Sequence, residues 1–255
     1  MNNFKLAINN NESLQCFLYN EKNPNTVIIM CHGFSGSSSG IMFPKIAEEL
    51  SQRFLVCRFD FRGQGESDGD FYTSSISRKL EDLDFIISHI KTQFNPQNII
   101  LLGHSFGCAI ALLHAQKNPV QGIISLSGEG DLQKAINYEF SKEQLQEFEN
   151  KGETKYENWT YNGRMDLLGK QFLDDMKKYS TIQAVKNIKC PILYIHGTND
   201  DVIPHSATEE MYNLTTSEKE IILMEGVDHM FNVFSKNPKV EDMISYVKNW
   251  LERKF

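Results

Sequence analysis

The feature that most constrains the fold of this chain is the segment 103–107, GHSFG. An apolar run at 99–102 precedes it, and small and aliphatic residues with helical character follow it at 108–115. This context predicts a strand, a tight turn and a helix, with Ser105 at the apex of the turn. Gly103 and Gly107 stand where side chains would collide with the adjoining strand and helix. The serine would also lie at a helix N-terminus, which favours developing negative charge.

Strand-like and helix-like segments alternate along most of the chain. Continuous apolar runs, typical of strands buried on both faces of a parallel sheet, occur at 26–31, 54–59, 122–127, 191–195 and 220–224. Helices are predicted at 41–52, 76–94, 206–214 and 240–251, and an edge strand at 13–20. The alternation predicts an α/β fold, with a mostly parallel sheet covered by helices on both faces. Ligands of such sheets bind at the carboxyl ends of the strands.

The alternation stops between residues 129 and 181, a charged segment rich in Lys, Glu, Gln and aromatic residues. We predict helices at 131–148 and 167–179, a turn or short hairpin at 158–163, and no strand-like run. A disordered linker is the alternative, but disordered segments lack aromatic residues. The prediction is therefore an α/β core at 1–128 and 182–255 that carries an inserted, helical cap at 129–181.

Composition excludes several classes of protein. A net charge of −7 is a poor match for nucleic acid or an anionic membrane. No signal peptide is visible, and no apolar run approaches the roughly 20 residues of a membrane helix. The five cysteines are scattered, odd in number and without a C-x-x-C pair, so we expect buried, reduced thiols. We expect a cytoplasmic monomer or homodimer without a metal or other cofactor.

Three polar side chains each come just past the carboxyl end of a predicted strand: Ser105, Asp200 and His229. A parallel sheet brings these ends to one edge. A serine hydroxyl is a weak nucleophile and requires a base. Histidine is a base near neutral pH, and a carboxylate fixes its tautomer. The three residues therefore predict nucleophilic catalysis through an acyl-enzyme.

Other polar residues compete for these roles. Asp201 is an alternative to Asp200 as the acid. Asp228 adjoins the histidine but would point elsewhere on an extended loop. Structural roles are expected for the other candidates, which are His104, His196, His205 and the strand residue Cys31.

An acyl-transfer site also needs two backbone N–H groups to bind the oxyanion. The residue after the nucleophile, Phe106, supplies one, and the loop after the strand at 26–31 supplies the other, for which Phe34 is the candidate. Gly33 allows this backbone to come close. His32 is expected to be a structural histidine of the loop. Phe34 can fill space as an apolar plug and still donate its N–H group.

Five segments carry a family resemblance: 32–34 (HGF), 59–69 (FDFRGQGESDG), 103–107 (GHSFG), 196–200 (HGTND) and 225–229 (EGVDH). Through them the chain resembles an α/β-hydrolase over nearly its whole length. Within that superfamily it resembles small bacterial carboxylesterases, which include the cinnamoyl and feruloyl esterases. The resemblance implies an α/β-hydrolase fold with a catalytic triad in the order Ser, Asp, His. The fifth position of the H-G-x-x-D pattern is the triad acid in this family, which implies Asp200.

These segments specify the fold and the triad but not the substrate. Relatives often carry Gln where Phe106 stands and Gly where Cys108 stands, and Phe106 would make the pocket wall more apolar. We expect hydrolysis of a small ester with a short or aromatic acyl group. Candidate substrate contacts are Gly33, Tyr138, Trp159 and Val202. The alternatives are a peptidase or amidase, a thioesterase, a monoacylglycerol lipase, or a non-catalytic binding protein of the same fold.

Overall fold

A twisted β-sheet forms the centre of the computed structural model, which describes residues 1–22, 25–158 and 163–255. In chain order its described strands are β1 (Asn2–Ala7), β2 (Ser13–Tyr19), β3 (Thr26–Cys31), β4 (Leu55–Phe59), β5 (Asn98–His104), β6 (Gly122–Leu126), β7 (Glu153–Asn158), β8 (Arg164–Gly169), β9 (Ile192–Gly197) and β10 (Lys219–Met224). Strands β7 and β8 form a separate antiparallel pair. The other eight described strands make up the central sheet.

The spatial order of the central sheet is β1-β2-β4-β3-β5-β6-β9-β10. Strands β1 and β2 pair antiparallel, as do β2 and β4, whereas every pairing from β4 through β10 is parallel. The carboxyl ends of β3, β5, β6, β9 and β10 therefore lie at one edge of the sheet. The predicted mostly parallel α/β fold is confirmed.

Helices cover both faces of this sheet. They are α1 (Met42–Leu50), α2 (Ile76–Phe94), α3 (Phe106–Ala115), α4 (Leu132–Glu139), α5 (Lys142–Lys151), α6 (Gln171–Lys178), α7 (Thr181–Asn187), α8 (His205–Leu214) and α9 (Val240–Lys254), with a short 3-10 helix at Phe71–Thr73. Alternate residues of β5 enter two apolar clusters. Leu101 belongs to the cluster of Leu83 and Ile110, and Leu102 belongs to that of Trp250. Burial on both faces explains why the parallel strands are continuously apolar.

The strand predicted at 13–20 is present as β2, but its predicted place at the sheet edge is wrong. Strand β1 pairs along its full length with β2 and covers that edge. Only Phe4 and Leu6 of β1 pack against the core, while the other four residues of this strand are exposed. Two half-buried apolar residues give too weak an alternation to mark a strand.

The segment between β6 and α7 contains α4, α5, the β7 and β8 hairpin, and α6. The prediction that it holds no strand is wrong, and residues 167–169, predicted as helix, belong to β8. The hairpin is defined by backbone pairing and not by apolar pattern, since Lys155 and Glu157 on β7 are exposed. The turn predicted at 158–163 falls largely on residues 159–162, which lie outside the described residues.

The single helix predicted at 131–148 is divided in two. Helix α4 ends at Glu139, and Ser141 begins α5 with a capping box, in which its hydroxyl accepts the N–H of Gln144. By contrast, α2 has the predicted bounds because Ser75 caps its start and Asn95, in the left-handed region, ends it.

All five cysteines are free thiols, and four of them are fully buried. Burial raises the pKa of Cys57 and of Cys108 to about 12, so these thiols are uncharged. Within the described ranges, none of the helices combines the length and the apolar character that a membrane crossing requires.

Candidate active site

Ser105 lies at the sharp turn between β5 and α3. Its backbone has φ 55° and ψ −126°, an unusual conformation for a residue with a side chain. Its N–H group donates to the carbonyl of Leu126 at 3.0 Å, and its carbonyl accepts the N–H of Cys108 at 3.0 Å. The turn is therefore held from both sides, and the side chain of Ser105 stays half-buried at the sheet edge.

The glycines of the turn are required by close backbone contacts. A Cβ atom on Gly103 would lie 2.5 Å from the backbone nitrogen of Cys108. A Cβ atom on Gly107 would lie 2.1 Å from the carbonyl oxygen of Cys31. Neither contact can be relieved by rotating a side chain, so a side chain at either position would force the backbone of the turn to shift.

Asp200 lies in the loop between β9 and α8, with its carboxylate fully buried. Its Oδ1 atom accepts the N–H groups of Val202 at 2.9 Å and Ile203 at 2.8 Å. Its Oδ2 atom lies 2.9 Å from Nε2 of His196 and 2.7 Å from Nδ1 of His229. Burial would raise the pKa of Asp200, but the bonds from both histidines outweigh burial and hold this pKa well below its usual value.

His229 lies in the loop that follows β10 and is 9% exposed. Because its Nδ1 atom bonds to a carboxylate, that atom carries the proton, which leaves Nε2 able to accept one. The backbone carbonyl of His229 accepts the Nε2 N–H of His104 at 3.1 Å, and the centres of the two imidazole rings are 4.9 Å apart. Since His104 precedes Ser105, the acid and base pair lies beside the serine turn.

The competing polar residues have other partners. Asp201 is exposed, and Asp228 turns its carboxylate back to the N–H groups of Met230 at 3.0 Å and Asn232 at 2.6 Å. Burial lowers the pKa of His104 to about 3, so this histidine stays neutral. His205 lies 3.7 Å from Glu209, away from the carboxylate of Asp200.

The loop after β3 passes directly beside the serine. A Cβ atom on Gly33 would lie 3.3 Å from Cβ and 3.7 Å from Oγ of Ser105. Phe34 follows on this loop, and Phe106 begins α3, where backbone N–H groups of a first helical turn lack partners within the helix. The two residues expected to supply the oxyanion donors thus flank Ser105.

Aromatic side chains from the segment between β6 and α7 pack on this loop. The ring of Phe34 stacks on the ring of Phe172 of α6, with 4.1 Å between the ring centres. It also contacts Tyr156 of β7, with 4.9 Å between the ring centres. It also lies 5.7 Å from the ring of Phe106 and 5.5 Å from Phe71. The surroundings of the serine turn are therefore strongly apolar on this side.

One acidic residue near the site, Glu129, was missed by the sequence motifs. Glu129 follows β6, is 3% exposed, and donates its N–H to the carbonyl of Ser105 at 3.2 Å. Its carboxyl group is hydrogen-bonded by the hydroxyl of Tyr138. Burial, with smaller contributions from the nearby carboxylates of Glu139 and Asp200, raises the pKa of Glu129 to about 8. Its place directly after a buried strand was the available signal.

The four expected substrate contacts lie at different places. Gly33 lies against Ser105, as described above. Tyr138 bonds to Glu129 while 42% of it is exposed, and the side chain of Val202 is 52% exposed. Trp159 lies outside the described residues. In the described part of the chain, no group of three or more His, Cys, Asp or Glu side chains is arranged to hold a metal ion.

The parallel sheet, the serine turn after β5 and the aspartate and histidine after β9 and β10 define an α/β-hydrolase. More specifically, the chain belongs to the family described as serine aminopeptidase, S33, whose model matches residues 22–152. The model of the dienelactone hydrolase family matches residues 166–255.

Similar proteins include hydrolases of several kinds. The palmitoyl-protein thioesterase ABHD10 of Rattus norvegicus is 25% identical over 219 residues, which are 82% of this chain and 70% of the relative. The lysophosphatidylserine lipase ABHD12 of Danio rerio is 25% identical over 76% of this chain and 48% of the relative. The structure of Est1E from Butyrivibrio proteoclasticus with bound ferulic acid superimposes with a TM-score of 0.83, at 20% identity and with 98% of both chains covered. The resemblance to α/β-hydrolases with esterase-like relatives is confirmed, and the chain is a hydrolase by fold and family.

Proposed function

We propose that this protein is a serine hydrolase of carboxylic esters, with Ser105, His229 and Asp200 as its catalytic triad. The observation that carries the proposal is the 2.7 Å hydrogen bond from Nδ1 of His229 to Oδ2 of Asp200, beside the turn of Ser105. This bond fixes the tautomer in which Nε2 of His229 is a base. The buried, ionised carboxylate also stabilises the imidazolium that forms when this base takes a proton.

In the proposed reaction, Oγ of Ser105 attacks the acyl carbon while Nε2 of His229 takes its proton. The N–H groups of Phe34 and Phe106 bind the oxyanion of the tetrahedral intermediate. His229 then protonates the leaving alcohol, and an acyl-enzyme remains. A water molecule, deprotonated by the same base, attacks the acyl-enzyme and releases the acid.

The proposed substrates carry a short or aromatic acyl group, and residues 129–181 act as a cap over the core formed by residues 1–128 and 182–255. The contacts of Phe34 with Tyr156 and Phe172 support the cap, because they join this segment to the loop beside Ser105. They also surround the site with aromatic rings, which suits an aromatic acyl group. The fold shared with Est1E, which binds ferulic acid, agrees with this choice.

The test is hydrolysis of p-nitrophenyl acetate, butyrate, octanoate and laurate by the wild type and by Ser105→Ala. We expect rates that fall from short to long chains, and a loss of about 10⁴- to 10⁶-fold in the variant. A fluorophosphonate should add one phosphonyl group to the wild type, measured by intact-protein mass, and none to Ser105→Ala. Near-normal turnover by the purified variant would overturn the proposal.

A thioesterase is the second candidate, because the chain is similar to the palmitoyl-protein thioesterase ABHD10. The same triad can cleave a thioester, and the acyl pocket would then accept longer chains. Matched S-acyl and O-acyl substrates with the same acyl group separate the two. A higher kcat/KM for the thioester, with a maximum at long chains, would favour this candidate.

The family description also names an aminopeptidase. An amide has a poorer leaving group than an ester and depends more on protonation by His229. Comparison of an amide substrate with the ester of the same acyl group tests this activity. Cleavage of the amide at a rate comparable to that of the ester would assign the protein to the peptidases.

A further inference from the structure

His32 occupies a buried position between two loops at the carboxyl edge of the sheet. It is 2% exposed and follows the last residue of β3. Its Nε2 atom lies 3.1 Å from the backbone nitrogen of Phe61, in the loop after β4. Its Nδ1 atom lies 2.8 Å from the carbonyl oxygen of Gly33. The imidazole thus bridges the loop after β4 and the loop that passes beside Ser105.

These two contacts determine which nitrogen carries the proton. The N–H group of Phe61 can only donate, so Nε2 of His32 accepts. The proton is then on Nδ1, which donates to the carbonyl of Gly33. Burial and the nearby charge of Lys79 together lower the pKa of His32 to about 3, so the ring keeps this neutral form.

The carbonyl of Gly33 belongs to the same peptide group as the N–H of Phe34. This peptide bond is trans, so the C=O and N–H groups point in opposite directions from a rigid plane. A hydrogen bond that fixes the carbonyl of Gly33 therefore fixes the direction of the Phe34 N–H. The N–H of Gly36 also donates to this carbonyl, at the longer distance of 3.4 Å.

We propose that His32 is a positioning residue that aims the N–H group of Phe34 at the oxyanion formed on Ser105. The inference rests on the proposed function and deepens it, since it identifies the residue that orients one of the two oxyanion donors. His32 does not touch the reacting atoms. It acts through the carbonyl of Gly33.

The anchor for His32 is itself rigid. Phe61 is fully buried, its ring meets the imidazole edge-on at 4.9 Å, and its carbonyl accepts the N–H of Gln64 at 3.0 Å. The buried ammonium of Lys79 lies 4.5 Å from the centre of the Phe61 ring. The segment 59–69, which the triad leaves without a role, thus supports the oxyanion loop through His32.

A pair of variants separates positioning from packing. In His32→Asn the amide nitrogen stands where Nδ1 stood, so a donor to Gly33 remains. In His32→Gln the amide oxygen can replace Nε2 as the acceptor from Phe61, but the donor to Gly33 is lost. We expect His32→Gln to lose about 10- to 100-fold in kcat with little change in KM, because an oxyanion donor acts in the transition state. His32→Asn should stay within a few-fold of the wild type.

Binding of phenylboronic acid, which forms a tetrahedral adduct with an active serine, provides a second readout that needs no turnover. Its affinity should fall in His32→Gln in proportion to kcat/KM and be retained in His32→Asn. Thermal unfolding of both variants controls for lost packing.

The outcomes distinguish the two proposals. Equal losses in both variants, or losses that follow the melting temperatures, would overturn the positioning role while the esterase stands. A wild type that binds the boronic acid more tightly than His32→Gln but cleaves no ester would keep the positioning role and overturn the esterase. A wild type that neither binds the boronic acid nor cleaves esters would overturn both.

Discussion

The Nε2 atom of His104 donates a hydrogen bond to the backbone carbonyl of His229 across 3.1 Å, and so ties the residue before the candidate nucleophile to the candidate base. The bond holds together two residues that are 125 positions apart in the chain. Because the pKa of His104 is lowered to about 3 by burial, the bond does not depend on pH in the neutral range.

We therefore expect His104→Phe to lower kcat by about 3- to 10-fold, the effect of losing one neutral hydrogen bond. His104→Gln, whose amide nitrogen can reach the same carbonyl, should retain most of the activity. Ester hydrolysis at saturating substrate measures both. Equal activities of the two variants would show that the bond does not position the base.

Asp200→Asn should lower kcat by about 10⁴-fold, the loss found when the aspartate of such a triad is replaced by asparagine. The amide can donate to Nδ1 of His229 and so favours the wrong tautomer. Asp201→Asn is the matched control, because Asp201 is exposed. Its kcat should stay near the wild-type value. A large loss in Asp201→Asn with a small loss in Asp200→Asn would reverse the assignment of the acid.

Glu129→Gln should change how stability depends on pH. The pKa of Glu129 is raised from 4.5 to about 8 by burial, with further contributions from Glu139 and Asp200. Between these values the folded protein keeps a proton that the unfolded chain releases, so the free energy of unfolding falls as pH rises. Glutamine has the same shape and keeps an acceptor for the hydroxyl of Tyr138.

The melting temperatures of the wild type and Glu129→Gln should therefore be similar near pH 5. At pH 9 the variant should melt at a higher temperature than the wild type. The expected difference is about 2–4 °C for each kcal/mol by which its free energy of unfolding exceeds that of the wild type. Differential scanning calorimetry between pH 5 and pH 9 measures this difference in melting temperature. A gap that stays constant with pH would contradict a raised pKa at Glu129.

Gly107→Ala should lower the free energy of unfolding by about 3 kcal/mol or more, since the new methyl would overlap the carbonyl of Cys31. Gly152→Ala is a control in which the backbone angle is unfavourable but no steric overlap arises. Its Cβ atom meets nothing within 4 Å, and only the backbone angle of φ +76° opposes it. That cost is about 1 kcal/mol. Urea unfolding of the two variants gives the comparison, and equal losses would refute the steric explanation.

The parts of the fold that depend on local pattern could be predicted from the sequence. The strand before Ser105 is a continuous apolar run, and small and aliphatic residues form the helix after it. The loops with Asp200 and His229 also follow continuous apolar runs. Parallel pairing brings such loops to one edge whatever lies between them, so three distant residues could be placed together without any contact being known.

The remainder depends on contacts that no local pattern records. Strand β1 has only Phe4 and Leu6 on its inner face, and the hairpin of β7 and β8 exists through pairing between two polar strands. Glu129 carries no motif, and the hydrogen-bond partner of its carboxyl group, Tyr138, lies nine residues further along the chain. These features arise from tertiary packing, which single-sequence periodicity does not encode.

Strand β10 is at the edge of the sheet, where β9 is its one partner strand among the described residues, and its residues from Lys219 to Leu223 are at most half-buried. The candidate base, His229, lies in the loop that follows this strand, whereas the serine turn follows β5 in the middle of the sheet. Edge elements open with a smaller free energy than the whole domain does. Local opening of β10 would withdraw His229 from Ser105 while the core remains folded, so hydrolysis should fail before global unfolding begins.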